Sequence, residues 1–99
     1  MKITSLTPGQ LEKASNMLKA IAHPIRIAIL NHLEDGKKLS VSQLHNLLKI
    51  EQSTTSHHLG IMKDKGILNS KREGKKIFYY IKDESFNKII DCVGNCACL

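Results

Sequence analysis

The amino-acid sequence predicts a mainly α chain with a small antiparallel β-hairpin, an α+β domain, on three observations. Apolar residues recur at helical spacing in successive segments, most of them opened by recognisable helix-start residues. Before the last of these segments lie two β-compatible runs joined by a turn that contains glycine. The length of 99 residues, 41% hydrophobic and 24% charged, suits one ordinary folded domain and excludes a disordered or collagen-like chain. A core of this size leaves stability marginal, so a dimer is the expected source of further burial.

Each element has its own reason. Thr7 at the N-cap, Pro8 at the first helical position, Gln10 three residues after the cap and a Leu6/Leu11 staple start a helix. Leu11, Ala14, Leu18, Ile21 and Ala22 then form one apolar stripe that ends near Ala22. Pro24 opens a second helix, and Ile25, Ile27, Ile29, Leu30 and Leu33 cover too much of its circumference for a surface position, so it is expected to be central. Asp35-Gly36 stops it. Ser40-Val41-Ser42-Gln43 is a capping box for a short third helix with Leu44, Leu47 and Leu48 inward.

After a break at Ile50-Glu51-Gln52, the stretch from Ser53 to Lys65 carries Thr55, Leu59 and Met62 at helical spacing, which completes a helix, tight turn and helix. Gly66 ends it. Ile67 to Lys71 and Lys76 to Ile81 are β-compatible, and Arg72-Glu73-Gly74-Lys75 joins them as a cationic tip. Asp83-Glu84 start a last helix with Phe86, Ile89, Ile90 and Val93, and Gly94-Asn95 offers a terminator.

Charge is unevenly placed. The net charge is +6, and between Gly36 and Lys82 ten Lys or Arg face three acids, whereas the flanks together are slightly acidic. A local basic surface is the electrostatic footprint of a polyanion partner, nucleic acid first; a merely solvated face is the alternative. The longest apolar run, Ile77 to Ile81, has five residues, far below the roughly 20 that cross a bilayer, so a cytoplasmic protein with no membrane partner is expected.

A helix-turn-helix followed at once by a hairpin is the order of a winged helix-turn-helix, whose second helix enters the major groove with the wing beside it. Away from the Thr55/Leu59/Met62 stripe this helix carries Gln52, Ser53, Ser56, His57, Gly60 and Lys63. Short or planar hydrogen-bonding groups near the N-terminus suit base edges, and the cation further along suits phosphate. Thr54 completes the DNA-facing set on the helix, and Arg72, Lys75 and Lys76 complete it on the wing.

Three segments carry a family resemblance. Leu18 to Leu30, LKAIAHPIRIAIL, is similar to LKALADPTRLRIL; Gln52 to Leu59, QSTTSHHL, continued by Lys65-Gly66-Ile67-Leu68, is similar to QSTVSHHL and its usual exit; Arg72-Glu73-Gly74-Lys75 and Tyr79-Tyr80 are similar to a wing. Together they resemble the ArsR/SmtB winged-helix repressors of bacteria and archaea over essentially the whole chain. The resemblance implies one domain over 1–99, with the helix-turn-helix at about 40–65, the wing at about 67–81 and dimerisation helices at about 8–22 and 84–98. It also implies a homodimer that binds an imperfect inverted repeat in double-stranded operator DNA and leaves it when an inducer, often a metal ion, binds.

The departures from that pattern bear on the inducer. Leu39-Ser40-Val41-Ser42-Gln43-Leu44 stands where metal-sensing members read LCVCDL, so serines replace both thiolate ligands. The last helix lacks the histidine pattern of zinc and cobalt sensors, since all five histidines precede residue 59. His23 stands for the family's Asp at a cap and is read as an N-cap. His32 and His45 are surface or boundary residues, and His58, about 100° round the helix from His57, holds the recognition helix against its neighbours. Ser56-His57 is not a nucleophile and base, because adjacent helical residues diverge and no nucleophile elbow surrounds them, so no enzyme is expected.

Cys92, Cys96 and Cys98 remain. They argue for reduced thiols, a thiophilic metal or metalloid ion, or redox chemistry, with incidental thiols as the alternative. No other cofactor is indicated. The functional expectation is a dimeric, sequence-specific transcriptional repressor released by such an ion or by thiol oxidation; the alternatives are a family repressor without metal or redox inducer, and a winged-helix protein-interaction module.

Overall fold

In the computed structural model the described residues are 7–83 together with 91, 92 and 95, and the first three helices start at their capping residues. Helix α1, Pro8–Ile21, opens on a reciprocal box in which Gln10 N donates to Thr7 Oγ1 at 3.2 Å and Thr7 N donates to Gln10 Oε1 at 2.9 Å. Helix α2, Pro24–His32, is capped by His23, whose Nδ1 accepts from Ile25 N at 3.1 Å. A 3-10 turn, Glu34–Gly36, ends the pair with Asp35 and Gly36 both at positive φ, 61° and 76°. Ser40 caps α3, Val41–Leu48, in a second box with Gln43 at 3.2 and 2.9 Å. Helix α4, Gln52–Asp64, follows after one left-handed residue, Lys49 at φ 57°. Residues 91, 92 and 95 of the expected last helix are helical, and the rest of that expectation, like Leu6 of the staple, lies outside the described residues.

The core is where the apolar stripes of α2, α3 and α4 meet. Ile29, Leu30, Leu33, Leu44, Leu59, Met62 and Ile67 are fully buried, with Ala20 and Ile21 closing the side toward α1. Burying side chains of this size contributes roughly 1.5 to 3 kcal/mol each, which offsets the ordering of a short chain. Thr55 is also fully buried, and its hydroxyl donates to Glu51 O at 3.1 Å, so the polar group in the α4 stripe is satisfied. No described helix is long and apolar enough to cross a membrane.

Four sequence expectations change. The sheet has three strands, not two: β1, Leu39–Ser40, pairs with β3, Lys76–Ile81, and β3 pairs with β2, Leu68–Glu73, all antiparallel in the order β1-β3-β2. Leu39 faces Tyr79 and Ser40 faces Phe78. A strand of two residues has no period to read, and Ser40 serves both as strand end and as helix cap. The wing turn shrinks to Gly74-Lys75, because Arg72 pairs with Ile77 and Glu73 with Lys76, while Gly74 at φ 64° takes the first turn position that a II′ hairpin reserves for glycine. Gln52 belongs to α4 and not to the break, since Lys49 already turns the chain. Leu47 is 51% exposed: Val41, Leu44 and Leu48 define the inward face, and Leu47 lies about 100° round from Leu48 on its far edge.

Candidate nucleic-acid interface

Helix α4 has two distinct sides. Thr55, His58, Leu59 and Met62 are buried against the core, so the helix is fixed in rotation by packing as well as by its ends. On the other side Gln52, Ser53, Ser56, His57 and Lys63 are exposed, and Thr54 and Gly60 are half-buried at the margin. The residues expected to face DNA therefore share one solvent-facing surface, with Thr54 and Gly60 at its edge.

The wing extends that surface. Arg72, Lys75 and Lys76 are exposed at the tip of β2 and β3, and Arg72 Nε donates to Gly74 O at 3.3 Å, which anchors the guanidinium over its own turn. Between the wing and the start of α4 runs an open groove of about 230 Å3 lined by Ser40, Val41, Ser42, Gln52, Lys75, Lys76 and Ile77. Sequence reasoning missed Ser42 here. It is exposed at the start of α3, and only the pairing of β1 with β3 brings that helix end beside the wing cations. Polar groups for base edges, flanked by hydroxyls and cations for a phosphate backbone, are the two contact classes that DNA reading needs.

Behind the exposed face, and reaching it at His57, lies a cluster of three imidazoles and a guanidinium. Arg26 Nε donates to His58 Nδ1 at 3.1 Å, and Arg26 Nη1 donates to Ala20 O at 3.0 Å. The His23 and His58 rings stand 4.5 Å apart between centroids, and those of His57 and His58 stand 5.6 Å apart. Burial first, and then the neighbouring His23, Arg26 and His57, hold the His58 imidazole below its usual range, because each disfavours a second positive charge there. The expectation that His58 holds the recognition helix agrees with these contacts; the Arg26 partner carried no signal in the sequence, since the pair is 32 residues apart.

Cys92 is exposed and has no disulfide. Cys96 and Cys98 lie outside the described residues, and among the described residues no three ligand side chains are grouped to hold a metal.

A helix-turn-helix whose second helix shows a polar face beside a cationic β-wing defines a winged helix-turn-helix DNA-binding regulator. The family model for "Bacterial regulatory protein, arsR family" matches residues 23–70, which span the α2 cap, both helices of the motif and the start of the wing. The HTH-type transcriptional regulator YgaV of Escherichia coli is 38% identical over 87 residues, covering 88% of each chain. Transcriptional repressor PagR of Bacillus anthracis is 41% identical over 80 residues, 81% of this chain and 80% of the relative. The crystal structure of PagR matches the fold with a TM-score of 0.80 at 38% identity, over 88% of this chain and 99% of that one. HlyU from Vibrio cholerae matches with a TM-score of 0.84 at 30% identity, over 94% of this chain and all of that one. The chain belongs to the ArsR family of DNA-binding transcriptional repressors, and these relatives are regulators, not enzymes.

Proposed function

We propose that the protein is a homodimeric repressor that reads an imperfect inverted repeat in double-stranded operator DNA and is released through Cys92, Cys96 and Cys98. The observation that carries the DNA reading is the continuity of the exposed α4 face with the cationic wing. Gln52, Ser53, Thr54, Ser56 and His57 contact base edges or their margins, and Lys63, Arg72, Lys75 and Lys76 contact phosphates. Operator DNA as the target makes the cytoplasm the place of action.

The dimer reading is supported by α1. Leu11 and Leu18 are 43% and 55% exposed on one stripe with half-buried Ala14 and Met17, an apolar face that a single chain leaves to water. Packing two such faces together sets the separation of the two α4 helices, and a twofold reader needs its half-sites about one helical turn apart.

The donor set suits a soft ion. Three thiols would supply thiolates to a thiophilic metal or metalloid ion such as arsenite or cadmium, and the exposure of Cys92 leaves its sulfur accessible. Oxidation of two of them to a disulfide by a peroxide, with loss of two protons and two electrons from the thiols, is the alternative input. Either would reshape the end of the last helix and shift the spacing of the recognition helices.

The test is the affinity of the dimer for a duplex carrying the DNA upstream of its own coding sequence, set against a scrambled duplex. Wild type and a triple Cys-to-Ser variant are compared when reduced, oxidised and challenged with arsenite or cadmium. Preferential binding by the reduced wild type, weakened by an input that leaves the variant unaffected, is the expected result. Equal binding of both duplexes refutes operator reading, and equal responses of the two proteins refute the cysteine switch.

A further inference from the structure

We propose that His58 and Arg26 are positioning residues for DNA reading: Arg26 ties the last turn of α1 to the recognition helix through the His58 imidazole, and the tie holds only while that ring is neutral. The inference rests on α4 being the base-reading helix. One guanidinium serves both ends, with Nη1 on Ala20 O at 3.0 Å and Nε on His58 Nδ1 at 3.1 Å. Ala20 lies in the last turn of the helix expected to dimerise, and His58 is the ring next to exposed His57, so the path runs from the dimer helix to the base-contacting face.

The chemistry makes the tie depend on a proton. To accept from Arg26 Nε, His58 must have an unprotonated Nδ1 and carry its hydrogen on Nε2. An imidazolium only donates, so protonation would set an N–H and a positive charge against a guanidinium in a site where His58 is 7% exposed. His23 uses its Nδ1 in the same way, as the acceptor that caps α2, with its ring 4.5 Å from that of His58. Among the described residues the charged or titratable groups acting on His58 are His23 from the α1–α2 link, Arg26 from α2 and His57 from its own helix, and none of these is an acid that would shelter an imidazolium. Acidification must move the guanidinium, the α2 start or α4 itself.

The sign of the effect is its own control: positive charge gained on acidification predicts tighter binding to DNA, whereas loss of the tie predicts weaker specific binding. The experiment has two readouts on the full-length chain. Nitrogen shifts of the His58 side chain in 15N-labelled protein report its tautomer between pH 8 and 5. Affinity for the upstream duplex at constant ionic strength is measured at pH 7.5 and 5.5 for wild type and for His58→Asn, whose Oδ1 sits close to the position of Nδ1 and does not titrate.

The expected result is an Nε2–H tautomer at pH 7.5. Wild-type affinity should fall about tenfold on acidification, within the usual range of coupling between sites, and the variant should change less than about threefold. An Nδ1–H tautomer, equal changes in both proteins, or a rise in wild-type affinity at low pH overturns the proposal. Failure of the duplex to bind at pH 7.5 counts against operator reading, while the tautomer still decides the tie; should His58→Asn not fold, the wild-type tautomer and pH profile decide it alone.

Discussion

Replacing Arg72 and Lys75 together by Ala tests the wing, and its size follows from where these residues stand. Both are exposed at the tip, Arg72 in the last paired positions of β2 and Lys75 in the turn itself, so neither supports the core. Each phosphate neutralised on B-DNA contributes about 0.9 to the slope of log K against log salt. Two contacts per wing, with two wings in the proposed dimer, amount to about 3.6 in slope. A fourfold rise in salt is about 0.6 log units, so between 50 and 200 mM the variant should lose about 100-fold less affinity than wild type. The assay is fluorescence anisotropy of the upstream duplex at five salt concentrations, with circular dichroism and sedimentation confirming that fold and assembly are unchanged. A slope equal to that of wild type would refute the reasoning, because it would mean that the wing makes no phosphate contact.

Other consequences are narrower. Gln52→Ala and His57→Ala should each relax preference at particular operator positions by about 1 to 3 kcal/mol while barely changing affinity for scrambled DNA; equal loss on both duplexes would show that neither reads a base edge. Leu59→Ala, at a fully buried position where α4 meets the core, should destabilise by about 2 to 5 kcal/mol in denaturant unfolding at fixed protein concentration, and a loss below 1 would place the side chain elsewhere. Glu34 is held above the usual carboxylate range by burial first and then by Asp91 and Asp35, so its folded state takes up a proton more readily than the unfolded chain. That contribution is present below its ordinary value of 4.5 and is lost as pH rises through the raised one. Glu34→Gln should therefore raise the melting temperature at pH 7 more than at pH 4, and the opposite order would contradict the acid pairing.

The outline of the helices was legible because local chemistry writes it. Thr7 with Gln10 and Ser40 with Gln43 are reciprocal caps, and their effect is complete within four residues of chain. The burial of Thr55, Leu59 and Met62 follows from spacing alone, and from it the exposed side that carries Gln52, Ser56 and His57. The His23 cap was legible only through the family resemblance, in which His23 stands for an Asp at that position.

What tertiary structure decided depends on contacts between residues distant in the chain. Strand β1 exists only because β3 offers Leu39 and Ser40 a partner some forty residues on, and that pairing swings Ser42 to the wing groove. Leu47 carries the same apolar side chain as Leu44 and Leu48, yet the direction of the core, set by α2 and α4, leaves it in water. The tie from Ala20 through Arg26 to His58 has no period and no motif, since a guanidinium finds a carbonyl and an imidazole only after three helices have packed. Local sequence determines which segments are helices and which faces are apolar, because caps and periodicity act within a turn or two; which polar groups meet is determined by packing, because hydrogen-bond partners are chosen by distance in space.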